Sequence, residues 1–148
     1  MIPNINRPEI IIVDDHPAFR QGLMSIITSA DIATVIGAAS DGAALIELLS
    51  FLRPNLVLMS IDMPHMKGFD SIRKALELIP GLKIIALTMF GEFGEEEYYY
   101  KMIELGVKGF ILKSCGINEL ETAIVAVMTG KSYFSKEIPG KITNIFNR

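Results

Sequence analysis

The chain has 148 residues, half of them hydrophobic and 21% charged, with a net charge of −3 and a single cysteine. Those figures describe one globular domain with room for a real core, and they exclude a disordered chain and an electrostatic footprint for nucleic acid. The lone Cys115 excludes an internal disulfide and suits a reducing compartment, so the cytoplasm is expected, and no apolar stretch approaches the ~18 residues of a membrane span.

Met1 to Pro8 is polar and lacks the hydrophobic centre of a secretion signal. Glu9 to Val13 predicts a first strand ending in Asp14-Asp15, and Pro17 is well placed in the first turn of a helix in which Phe19, Leu23, Ile26 and Ile27 fall at helical spacing. Ala33 to Ala39 reads as a second strand, and Asp41 as the cap of a helix with Leu45, Leu48 and Leu49. Arg53-Pro54 breaks that helix. The run Leu56 to Met59 reads as a strand buried on both faces, ending at Ser60 before a turn through Pro64 and Gly68. Phe69, Ile72, Leu76 and Ile79 form the apolar side of the next helix.

Pro80-Gly81 is a turn, and Lys83 to Thr88 a fourth strand. After the loop Gly91 to Gly94, Glu95, Glu96 and Glu97 fall in a first helical turn, where the macrodipole favours acids, and Gly106 is placed to end that helix. Lys108 to Leu112 predicts a fifth strand ending at Lys113. Ile117 to Met128 predicts a last helix with Leu120, Ile124, Val127 and Met128 buried and a weak N-cap at Gly116. Beyond Gly130 the periodicity fades, and the domain is expected to end near residue 135, with 136–148 a linker or tail.

Five strand–helix pairs in strict alternation predict a parallel sheet with helices on both faces. In such a sheet the carboxyl ends of the strands gather on one edge, where ligands bind. Asp14 and Asp15, Ser60 and Asp62, Thr88 and Lys113 all fall there. Adjacent carboxylates suit a hard divalent cation such as Mg²⁺, and a hydroxyl with an ammonium suits a phosphoryl anion. That set describes phosphoryl transfer to a central carboxylate, yet the central position holds a serine.

Blander readings stand beside this one. The two acids are also a plausible start for the first helix, and Thr88 and Lys113 gain meaning only as part of the ensemble. Asp62 is an alternative acceptor if the strand continues. His16 and His65 are candidate metal ligands by type, but no spacing pairs them with each other, so they read as exposed loop residues; Tyr98 to Tyr100 read as one or two core or interface rings, and Cys115 as a small packed residue.

The chain resembles the receiver domain of bacterial response regulators over about Ile10 to Ser135. The resemblance rests on Val13-Asp14-Asp15-His16-Pro17, on Ser60-Ile61-Asp62-Met63-Pro64 with Met66 and Gly68, on Leu87-Thr88, and on Gly109-Phe110-Ile111-Leu112-Lys113. The run Asp-Asp-His-Pro-Ala-Phe-Arg-Gln-Gly-Leu from Asp14, with Leu-Thr-Met-Phe from Leu87, is most similar to receivers of the NarL/FixJ/LuxR class. It implies a flavodoxin-like (βα)5 three-layer sandwich, strand order 2-1-3-4-5, spanning residues 9–135. It implies Asp14 and Asp15 as acidic ligands of Mg²⁺ joined by the Asp62 backbone carbonyl. Thr88 becomes a switch hydroxyl, Lys113 its counter-ion and Phe110 the aromatic that moves with the switch.

The acceptor position falls on Ser60, where the family has Asp. Phosphorelay from a sensor histidine kinase should fail there, Mg²⁺ should bind more weakly, and the two carboxylates are left to pair with Lys113. The implied function is the input domain of a non-enzymatic, DNA-binding two-component regulator of transcription, with DNA bound only through a helix-turn-helix domain absent from this chain. Three versions compete: a natural Asp replaced by Ser60; a native Ser60 with signalling by homodimerisation or through a surface of the fourth and fifth helices and fifth strand; and a small phosphohydrolase or mononucleotide binder on the same sheet.

Overall fold

Every central strand is apolar on both faces, so both faces must be covered. In the computed structural model, which describes residues 7–61, 68–89 and 96–136, helices cover them. The strands are β1 (Glu9–Val13), β2 (Thr34–Ala39), β3 (Leu56–Ser60), β4 (Lys83–Thr88), β5 (Gly109–Leu112) and β6 (Tyr133–Phe134). Between them run α1 (Pro17–Ala30), α2 (Gly42–Leu49), α3 (Gly68–Leu78), α4 (Glu96–Leu105) and α5 (Ile117–Met128). All strands are parallel, in the order β2-β1-β3-β4-β5-β6.

Side chains alternate across a strand, and the two cores follow that alternation. Ile11, Val13, Val57, Met59, Ile84, Ala86 and Phe110 pack under α2, α3 and α4. Ile10, Ile12, Leu58, Ile85, Leu87 and Ile111 pack under α1 and α5. The result is the three-layer flavodoxin-like sandwich, and the expected order of the first five strands is borne out.

The sixth strand is an addition. β6 pairs with β5, Gly109 opposite Tyr133 and Phe110 opposite Phe134, so β5 is not the sheet's outer edge. The surface of α4, β5 and α5 offered as a docking face is therefore partly closed by the chain itself. Of the apolar positions at helical spacing in α1, Ile27 is fully buried, whereas Ile26 is half exposed. Ala123 replaces Met128 among the fully buried positions of α5.

Local punctuation matches its chemistry. The Asp41 carboxylate accepts a hydrogen bond from the Ala44 amide at 2.8 Å, capping α2. Gly106, at φ +116, ends α4 in a left-handed turn, with the Val107 amide returning to the Met102 carbonyl at 3.0 Å. Gly116 opens α5 without a side-chain cap. Asp41→Ala should lower stability by about 1 kcal/mol, read as a shift of the urea unfolding midpoint with unchanged cooperativity.

Candidate functional site

The parallel register brings distant residues to one edge. Val13 lies opposite Met59, so Asp14 and Ser60 follow side by side as β1 and β3 end. Thr88 pairs with Leu112, and the Lys113 amide donates to the Thr88 carbonyl at 2.7 Å. Alternation from Ile12, Leu58 and Ile111 directs Asp14, Ser60 and Lys113 to the α1–α5 side of the sheet.

Asp14 is fully buried, and Lys113 Nζ, itself nearly buried, lies 2.8 Å from its Oδ2. The other carboxylate oxygen accepts from the His16 amide at 2.7 Å, fixing the turn ahead of α1. Arg20 donates to the Asp14 carbonyl at 2.6 Å, holding that turn from the helix side. Burial pushes the Asp14 carboxyl up, but the Lys113 ammonium and the His16 contacts outweigh it and hold the group below the usual carboxylate range. Lys113 also lies 5.0 Å from the centre of the Phe19 ring, so its cation meets an aromatic face.

Pairing of both acids with Lys113 is realised for one of them. Asp15 instead has His16 Nδ1 at 3.0 Å, and the same nitrogen is 3.3 Å from Asp14. His16 is exposed, as its loop position suggested, but it belongs to the acidic cluster: donor atoms of Asp14, Asp15 and His16 lie within 4.8 Å of one another. The signal was present, since His16 directly follows the acids, but testing histidines only against each other misses it.

Ser60 is fully buried, and its hydroxyl has no hydrogen-bond partner among the described residues. An orphaned buried hydroxyl is costly, and its place at the centre of a charged edge marks a polar pocket rather than core. Thr88 is buried at the end of β4. Phe110 lies on the opposite face of the sheet, its ring 5.3 Å from Tyr99 and 5.6 Å from Phe134. Asp62 and His65 lie outside the described residues.

Beside the pocket, α1 and α5 leave an apolar cleft of about 280 Å³ lined by Phe19, Leu23, Ile26, Cys115 and Ile117, with Lys113 at one end. Burial and the nearby Glu119 charge push the Cys115 thiol up to about 11, so it stays protonated and is a packing residue rather than a nucleophile. Among the described residues no helix is long and apolar enough to cross a membrane.

Comparison with known proteins agrees with this geometry. The sequence profile described as "Response regulator receiver domain" matches residues 10–125. The transcriptional regulatory protein DegU of Brevibacillus brevis is 27% identical over 98% of this chain and 60% of its own length. Response regulator GacA of Pseudomonas protegens is 31% identical over 87% of this chain and 59% of its own. The chain therefore spans about three-fifths of the length of these curated relatives. A LuxR-family two-component response regulator from Aurantimonas superposes with a TM-score of 0.81 at 26% identity, covering 97% of this chain and 100% of that one.

Lys113→Met removes the partner of a buried carboxylate and should cost about 3–5 kcal/mol near neutral pH. The sign with pH follows from Asp14. Its folded pKa lies below its unfolded one, so pairing contributes stability above the unfolded value and loses it as pH falls through the folded value. With Lys113 gone, the largest influence left is burial, which disfavours the charge, so acidification should relieve the variant. Urea unfolding at pH 7 and at about pH 4 should show the gap between parent and variant narrowing on the acid side.

Proposed function

Because the chain belongs to the response regulator receiver family, matched over residues 10–125, we propose that it is the signal-input domain of a two-component transcriptional regulator whose acceptor position cannot take an aspartyl phosphoryl group. The observation that carries this reading is the buried hydroxyl of Ser60, without a partner among the described residues, beside the paired charges of Asp14 and Lys113. A serine ester lacks the lability of an acyl phosphate, so ordinary exchange with a phosphohistidine stops at this residue.

In this reading Asp14 and Asp15 are the metal-facing acids, assisted by the Asp62 carbonyl, Thr88 is the switch hydroxyl, Lys113 the counter-ion of the pocket and Phe110 the switch aromatic. The clustered carboxylates fit a hard cation such as Mg²⁺. When bound, that ion supplies positive charge for a transferring phosphoryl group. The chain's own residues do the rest: His16 and Arg20 fix the turn that aims Asp14, and Lys113 holds the carboxylate charged in a buried place. With Ser60 contributing no charge, Mg²⁺ binds more weakly than in a complete site.

Residues 9–135 form the receiver and 136–148 the linker in this reading. A sensor histidine kinase is the partner that the family implies, DNA is reached only through a further domain, and the cytoplasm is the site of action. The role is signalling rather than turnover, with homodimerisation or a protein partner supplying the input that the acceptor lacks.

Incubation with acetyl phosphate and Mg²⁺ should add no acid-labile phosphate to the native chain. Ser60→Asp should restore labelling approaching one per chain and tighten Mg²⁺ binding on the order of tenfold, because an anionic ligand is returned. Intact mass with hydroxylamine sensitivity reads the first, and Mg²⁺ titration the second. Labelling of the native chain that disappears in Asp62→Asn would show that Asp62 had taken over as acceptor and would overturn the assignment to Ser60.

A further inference from the structure

The segment after α5 is more than an exit. β6 contains only Tyr133 and Phe134, and a strand that short contributes few ladder bonds: the Tyr133 amide donates to the Lys108 carbonyl at 3.1 Å, and the Ser135 amide to the Phe110 carbonyl at 3.0 Å. Two further sets of contacts hold it. On one side of the sheet the Phe134 ring stacks on Phe110, 5.6 Å between centres and 13° between planes, while Tyr99 of α4 meets Phe110 edge-on. On the other side Glu119 of α5 accepts two hydroxyl hydrogen bonds on one oxygen, from Tyr133 at 2.9 Å and Ser135 at 3.1 Å.

Ser135 also links this clasp to the sheet. Its hydroxyl oxygen accepts from the Leu112 amide at 3.2 Å, and the residue is almost completely buried. A buried serine that donates to a carboxylate and accepts from a strand amide is fully used. Leu112 immediately precedes Lys113. The strap therefore touches β5 at both of its functional ends, the aromatic Phe110 and the backbone leading to the pocket lysine.

We propose that Tyr133 to Ser135 is a strap clasped by Glu119, and that it couples the position of Phe110 to the chain beyond residue 136. Glu119 acts as a positioning residue. With the clasp closed, Phe110 is held between Tyr99 and Phe134 and the outer edge of β5 is covered. With the clasp open, that edge is free. This holds whether or not residue 60 accepts phosphate, so it stands apart from the reading of the acceptor site.

Hydrogen exchange by NMR on the full chain tests it. Glu119→Ala should speed exchange of the Tyr133, Ser135 and Leu112 amides at least tenfold while amides of β1 and β3 keep their rates. Tyr133→Phe combined with Ser135→Ala removes the same hydroxyls with Glu119 in place, and should loosen Tyr133 and Ser135 similarly, which guards against a folding defect of the first variant. Phe110→Leu should speed exchange in the strap at least threefold if the aromatic and the strap are coupled. Strap amides that stay within twofold of the parent in both clasp variants would overturn the clasp, as would an equal rise throughout the domain. An unaltered strap in Phe110→Leu would overturn the coupling.

Discussion

The ion pair between Asp14 and Lys113 is the contact on which the pocket depends. In the sheet order, β3 and β4 lie between the strands that carry these two residues. Three strand spacings separate them, roughly 14 Å of sheet, yet the charged atoms stand 2.8 Å apart. The lysine side chain must therefore reach back toward β1 across the ends of the two strands between them. A buried carboxylate without a partner is hard to keep ionised. The pair is what lets an acid occupy the end of β1 with no exposed surface.

That contact also explains the division between the two faces of the sheet. Asp14, Ser60 and Lys113 share the α1–α5 side, and the nearby cleft between those helices is apolar. Phe110 shares the opposite side with α4 and the stacked ring of Phe134. β5 carries a residue of each, Phe110 on one face and Lys113 just beyond its end. The four residues from Phe110 to Lys113 join pocket and aromatic along the backbone, and Ser135 holds that stretch at the Phe110 carbonyl and the Leu112 amide.

Much of this was legible because the relevant physics is local. Short apolar runs bounded by turns identify strands buried on both faces, and Asp41 before Gly42 identifies its own helix start. The pocket was legible because a parallel sheet sends every strand end to one edge, whatever the distance in sequence. β6 was not, since two residues cannot show a period, and the reasons for its pairing lie at Glu119 and Phe110. Helical spacing alone does not rank Ile26 against Ile27 either: the two are adjacent on α1, and Ile27 is the one that is fully buried. His16 was undervalued because its contacts run to its own neighbours, whereas a search for paired histidines looks along the chain.

Charge balance then gives Ser60 its meaning. A third carboxylate at the end of β3 would leave Lys113 facing three acids, an excess of negative charge that a divalent cation relieves. With a neutral hydroxyl there, the acids near the pocket among the described residues are Asp14 and Asp15, of which Lys113 satisfies one and His16 approaches both. In the reading proposed above, the need for a metal falls along with the capacity to form an acyl phosphate, because one carboxylate at this position would supply both. A hydroxyl there also offers no charge to compete with Asp14 for Lys113. Retention of a buried ion pair is weak evidence of stability, because an apolar pair of similar shape often serves as well. In the reading proposed above, the pair beside a hydroxyl with no partner among the described residues is the frame of a phosphoryl pocket whose acceptor position carries no charge.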